Sequence, residues 1–229
     1  MSCKSIFITG TGTDIGKTFV TALIVKKLSE KASAGYYKAA MSGNIRDENG
    51  KLIPGDAKFV KDVSEISQQL EDMCPYIYEN AYSPHLASRV EGGFVQLDVV
   101  KKGFESQKEK FDYLTMEGSG GILCPIYFEE NDSNKIMLED VIKTCGLSSI
   151  IVADAGLGTI NSLVLTYEYM KSKNLKVNGV IFNNYHGGIL EDDNIKMCEI
   201  MTGLPTIAKV GVNATDLGIS FEELVKYYE

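Results

Sequence analysis

Histidine is scarce in this 229-residue chain, and the two present, His85 and His186, stand too far apart to suggest a pair. Five cysteines (Cys3, Cys74, Cys124, Cys145, Cys198) are scattered without a CxxC spacing. Together these shortages argue against a structural metal site, and the odd, widely spaced thiols argue against a disulfide framework. Positive charge is short as well: a formal net charge of −8 speaks against a nucleic-acid-binding surface. No apolar run is long enough to span a bilayer, and no charged-then-apolar leader precedes the first strand. The expectation is a cytoplasmic protein with reduced thiols. No internal repeat or low-complexity tract interrupts the chain, whose length suits one domain over residues 1–229.

What is present is alternation. Short runs rich in Ile, Val, Phe and Tyr occur at Ser5–Thr9, Tyr36–Met41, Tyr113–Glu117, Ser149–Asp154, Gly179–Asn183 and Pro205–Val210. They are continuous more than alternating, as strands buried on both faces should be. Helical stretches lie between them at Lys17–Lys31, Leu97–Lys110, Leu138–Cys145, Asn161–Lys173, Asp192–Thr202 and Ser220–Tyr228. The Glu-Asp-Asp run at 191–193 reads as a helix start, where carboxylates suit the positive dipole end. The pattern predicts an α/β fold, a mostly parallel central sheet of about seven strands with helices on both faces. Residues 44–75 break the rhythm; they are polar, with Asn-Gly and Pro-Gly turn signals, and read either as a linker or as a loop carrying part of the site.

Residues 9–18, TGTGTDIGKT, follow the apolar run Ile6-Phe7-Ile8. A strand, a glycine-rich turn, Gly16-Lys17-Thr18 and a helix meet the requirements for holding polyphosphate. Backbone N–H groups turn inward, the helix N-terminus adds positive potential, Lys17 reaches the terminal phosphates and Thr18 offers a hydroxyl to Mg²⁺. The glycine spacing is irregular, five residues from Gly10 to Gly16 and three from Gly12, where four are usual. Two strand-end acids compete as metal anchor, Asp154 after SSIIVA and Glu117 before Gly-Ser-Gly-Gly; the pattern does not choose between them. Lys38, inside the apolar run GYYKAAMSG near the C-terminal end of a strand, reads either as a buried, paired cation facing the ligand crevice or as an edge-strand lysine facing water.

The segments GTGTDIGKT, YKAAMSG, PGDA, SPHLAS, EGSGG and LGTIN, in that order and over nearly the whole chain, resemble the dethiobiotin synthetase family. That family's loop is Gly-Thr-x-Thr-x-x-Gly-Lys-Thr, so the spacing is normal there. The resemblance implies a homodimeric P-loop ligase using Mg²⁺, ATP, CO₂ and 7,8-diaminononanoate. It implies Lys17 and Lys38 as the catalytic lysines, and Thr18, Asp56 and Glu117 as metal ligands, deciding for Glu117 over Asp154. It implies nucleotide contacts from Asp14, Ile15, Gly16, Lys17, Thr18 and Phe19, from Asp56, and from Glu117, Gly118, Ser119 and Gly120. Asn183 and the loop Gly211, Val212, Asn213 would hold the base. Thr13 and Ser42 would contact the diamine, and Gly158, Thr159 and Asn161, opening a helix, its carboxylate across the dimer interface. Ala39 stands where the family often has proline, Asp14 where glutamate is common, and Gly211–Asn213 lacks the usual proline. Weak nucleotide binding with poor discrimination between ATP and GTP is therefore expected. Other readings are a nucleotide-switch ATPase, which would carry an extra lysine where Thr11-Gly12 stands, and a different ligase of the same group.

Overall fold

The computed structural model describes residues 3–229. Six parallel strands form the main sheet in the order β10-β9-β8-β1-β5-β2. They are β1 (Lys4–Gly10), β2 (Ala34–Lys38), β5 (Tyr113–Glu117), β8 (Ser149–Asp154), β9 (Val177–Tyr185) and β10 (Thr206–Gly211). Two small antiparallel pairs stand apart, β3 (Ile45–Arg46) with β4 (Leu52–Ile53) and β6 (Pro125–Tyr127) with β7 (Ile136–Met137). The helices are α1 (Lys17–Ser29), α2 (Gly55–Ser64), α3 (Pro84–Glu91), α4 (Leu97–Lys108), α5 (Leu138–Cys145), α6 (Thr159–Ser172), α7 (Ile189–Thr202) and α8 (Phe221–Leu224).

Successive strand residues feed two cores, one on each sheet face, because side chains alternate along a strand. Ile6, Ile8, Ile150, Val152 and Ile181 join α1, α2 and α8 on one face. Phe7, Ile151, Ala153, Val180 and Phe182 join α4, α5, α6 and α7 on the other. This is why the strands read as unbroken apolar runs. Helix α1 is apolar almost all round: Val20, Ala22, Leu23, Ile24, Val25 and Leu28 are buried. The stripe Val20, Leu23, Ile24 and Leu28, at the spacing of a helix packed on a sheet, is buried as its pattern predicts, and Ala22 and Val25 are buried too because the helix is held between the sheet and α2.

The expected seven strands are six. Beyond β2, where a seventh would pair, the chain makes irregular contacts: Lys38 N donates to Met73 O, Met41 N to Tyr76 O, and Tyr78 N to Met41 O. The Gln68 side-chain amide takes the rest of the edge, accepting from Tyr36 N at 2.8 Å and donating to Tyr36 O at 3.0 Å. A side chain there satisfies the backbone groups that a strand would have paired. Residues 44–75 are no linker. They fold into the β3–β4 turn and α2, whose Ala57, Val60 and Ser64 form a buried stripe at helical spacing. Helix α3 lies outside the helices that the pattern predicts, although Ser83-Pro84 marks its start, with proline at the first helical position.

Candidate active site

The loop after β1 folds over the C-terminal ends of β1, β5 and β2, the edge at which parallel α/β sheets place ligands. Asp14 and Gly16 take left-handed backbone conformations, with φ of 58° and 83°. Aspartate tolerates this better than most residues because its short side chain bonds locally. Gly16 has a second constraint, since a Cβ there would lie 2.1 Å from Asn183 Nδ2. Asn183, at the end of β9, donates from that nitrogen to Ile15 O at 2.9 Å and so supports the loop from below.

A cleft of about 870 Å³ opens in front of the loop. Its floor carries Lys17, Thr18, Lys38, Asp56 and Glu117. Lys38 Nζ lies 2.6 Å from Asp56 Oδ2 and 2.8 Å from Glu117 Oε1, and Thr18 Oγ1 donates to the same Glu117 oxygen at 2.8 Å. Lys38 is on the edge strand, yet it is only 5% exposed, because α2 and the 68–78 segment cover that edge. Burial disfavours its charge, but Glu117 and Asp56 more than reverse this and raise its pKa above the ordinary lysine value. Burial would likewise raise the Asp56 carboxyl; Lys38 outweighs it, leaving the group below its usual value. For Lys17 burial wins and lowers the ammonium's pKa, with Glu117 opposing and Lys38 adding to the lowering. Lys17 Nζ folds back onto Gly12 O at 2.7 Å.

The two candidate anchors behave differently. Glu117 is 1% exposed and gathers Thr18, Lys38 and Tyr36. Asp154 uses one oxygen to cap Gly156 N and the other to accept from Asn184 Nδ2, both at 2.7 Å, as a turn residue does. Among the described residues no group of three or more His, Cys, Asp or Glu side chains is placed to hold a metal. What converges is one hydroxyl and two carboxylates. Such an oxygen-only donor set suits Mg²⁺, with phosphate oxygens and water completing the shell.

Thr13, Asp14, Gly16, Ser42, Ser119 and Gly120 also line the cleft. Ser42 Oγ donates to Tyr82 O and Ser119 Oγ to Ala40 O, which ties the cleft's walls together. Gly118 allows close packing beneath, where a Cβ would meet Phe7 and Leu138 atoms at 2.9 Å. Ile15 and Phe19 pack toward the α1 core instead of lining the cleft. Asn183 and the turn Gly211–Asn213, closed by Ala214 N donating to Gly211 O, lie outside the cleft wall. So do Gly158, Thr159 and Asn161 at the start of α6. Sequence reasoning missed Tyr36, whose hydroxyl donates to Glu117 Oε2 at 3.1 Å. Its only sequence signal is a polar-tipped residue two positions before Lys38 on the same strand.

Among the described residues no helix is long and apolar enough to cross a membrane. The chain matches the AAA domain family over residues 4–215. It is 50% identical over 209 residues to the ATP-dependent dethiobiotin synthetase of Brachyspira hyodysenteriae, covering 90% of this chain and 91% of that one. It is 48% identical over 228 residues to the Clostridium botulinum protein of the same name, covering 99% and 98%. In fold it is similar to the MinC:MinD cell division complex of Aquifex aeolicus (TM-score 0.56, 15% identity, 91% of this chain and 81% of that one). It is similar too to a ParA family ATPase of Chlorobium tepidum (TM-score 0.55, 13% identity, 98% and 91%). The likeness to these two is one of fold alone, whereas the first two match this chain at about half of the aligned positions over 90% or more of its length. The chain belongs to the ATP-dependent dethiobiotin synthetase family.

Proposed function

We propose that this chain closes the ureido ring of dethiobiotin from 7,8-diaminononanoate and CO₂, using ATP and releasing ADP and phosphate. The observation that carries the reading is the convergence of Lys17, Thr18, Lys38, Asp56 and Glu117 beside the phosphate loop, in a cleft that Ser42 also lines. In this reading residues 1–229 act as one P-loop unit.

A neutral amine of the substrate adds to CO₂ and loses a proton, giving a carbamate. Lys38 and Lys17 present two cations to that anion from a partly dehydrated floor, where such stabilisation is strongest. A carbamate oxygen attacks the γ-phosphorus, the bond to the β-phosphate oxygen breaks, and ADP leaves with a carbamic-phosphoric anhydride formed. The second amine then attacks the anhydride carbon and expels phosphate, closing the ring. Lys17 and the loop backbone align the phosphates for this in-line transfer. Thr18, Asp56 and Glu117 would hold Mg²⁺, which when bound neutralises charge on the β- and γ-phosphates. No enzyme nucleophile is required, and Cys124 in the cleft wall is unsuited to be one, since burial pushes its thiol up to about 11.

The base is assigned to Asn183 and the Gly211–Asn213 turn, and the substrate carboxylate to Gly158, Thr159 and Asn161 of a second copy. Large apolar side chains left in solvent beside α6 and α7 support a homodimer on that side: Leu157 is 91% and Ile189 92% exposed. Phosphate release measured with ATP and bicarbonate, with and without the diamine, tests the reading. Release that depends on the diamine is expected; release indifferent to it would favour a nucleotide-switch ATPase.

A further inference from the structure

Tyr36 does not line the cleft, yet its hydroxyl reaches the acid at the centre of the site. The ring is fully buried in the core between the sheet and α1. Its backbone is fixed on both sides by the Gln68 amide, which also donates to Gln107 Oε1 at 3.2 Å. A carboxylate oxygen only accepts, so in this contact the Tyr36 phenol is the donor. The two Glu117 oxygens are thereby made unequal. Oε2 receives Tyr36, while Oε1 receives Thr18 and Lys38. The terminal torsion of a glutamate is soft, so a carboxylate without such an anchor would swing between one-oxygen and two-oxygen contacts.

We propose that Tyr36 is a positioning residue whose hydroxyl pins Glu117 Oε2 and leaves Oε1 as the single oxygen presented to the nucleotide-bound cation. The inference rests on the reading of Glu117 as a metal ligand. One oxygen per carboxylate suits the tight octahedral shell of Mg²⁺, whereas Ca²⁺ accepts carboxylates through both oxygens. Tyr36 therefore also favours Mg²⁺ over Ca²⁺.

Mn²⁺ binding, followed by electron paramagnetic resonance with a non-hydrolysable ATP analogue present, tests this on the full chain. Four proteins form a cycle: wild type, Tyr36→Phe, Glu117→Gln and the double variant. Tyr37→Phe is the control, because its hydroxyl is equally buried but bonds Val100 O. Tyr36→Phe is expected to weaken Mn²⁺ about tenfold, to do so only when Glu117 is present, and to narrow the preference for Mg²⁺ over Ca²⁺ in competition; Tyr37→Phe leaves all three unchanged. Wild-type affinity in Tyr36→Phe, with Glu117→Gln weakened, would overturn the inference and leave the site reading standing. An equal loss from Tyr36→Phe with and without Glu117 would also overturn it. Wild-type affinity in Glu117→Gln would remove the site reading and this inference together. Should Tyr36→Phe not fold, Gln68→Ala loosens the same tyrosine: weakened Mn²⁺ binding supports the inference, and unchanged binding overturns it.

Discussion

Lys38 and Glu117 are register partners on the adjacent parallel strands β2 and β5, and their side chains close a 2.8 Å ion pair above the strand ends. The pair is almost dry, with the Lys38 side chain 6% and the Glu117 side chain 0% exposed. Removing the cation as Lys38→Met leaves Glu117 buried and facing Asp56 uncompensated. A loss on the order of 3 kcal/mol is expected for the nucleotide-free protein at pH 8. In the wild type Lys38 outweighs burial and holds the Asp56 carboxyl below its usual value, so that pairing stabilises the fold above the carboxylate range and its contribution is lost as pH falls through it. The deficit of Lys38→Met relative to wild type should therefore shrink as pH falls below about 4. Urea melts at several pH values check this; a deficit that grows on acidification would contradict the pairing.

Lys17→Ala should keep the fold and lose turnover by about a hundredfold or more, the scale for removing one charge aimed at a transition-state phosphoryl group. Lys17 makes its hydrogen bond within its own loop, to Gly12 O, so little of the core depends on it. Circular dichroism should be unchanged while diamine-dependent phosphate release collapses. Near-normal turnover would remove the phosphate-loop assignment.

Asn183 already donates its amide to Ile15 O, and its Oδ1 is buried without a partner. Little of that side chain is left to tell adenine from guanine, and the nearby turn exposes Val212. ATP and GTP should accordingly bind within about tenfold of each other, a difference of roughly one hydrogen bond. Asn183→Ala should weaken both alike by loosening the loop beneath Gly16. Calorimetric titration of each nucleotide, with diamine present, decides it; strong rejection of GTP by the wild type would contradict this.

Cys124 lines the cleft but should alkylate slowly. Its thiol is pushed up to about 11, so at pH 8 roughly one molecule in a thousand carries the thiolate. Cys74 and Cys145, both pushed up to about 12, should be slower still. Iodoacetamide at neutral pH should modify half-buried Cys3 first and spare activity. Rapid inactivation with label on Cys124 would show the thiol to be activated.

Local patterning accounts for much of what was legible in the chain. The loop from Gly10 to Thr18 is contiguous, so its glycines, lysine and threonine can be read together after the strand, although their irregular spacing is accounted for only by the family's loop pattern. The strand runs, too, are readable because burial on both faces leaves an apolar signature within a few residues. Lys38, if buried, needed a partner because of the cost of burying it alone, and the structure buries it and supplies its two acids.

Which acids those are was decided in three dimensions. Asp56 and Glu117 lie 18 and 79 residues from Lys38, and only the docking of α2 over β2 and the pairing of β2 with β5 bring them together. Residues 44–75 looked like a linker because their composition is polar, and the buried stripe of α2 has meaning only once α1 is there to receive it. At the β2 edge the backbone of Tyr36 is paired by the Gln68 side chain, a contact no periodicity encodes. Tyr36 reads in sequence as one more aromatic strand residue; its hydroxyl becomes part of the site because strand order sets it 3.1 Å from an acid 81 residues away. Periodicity is a property of neighbours along the chain, whereas hydrogen bonds between distant residues exist only after the sheet has chosen its order.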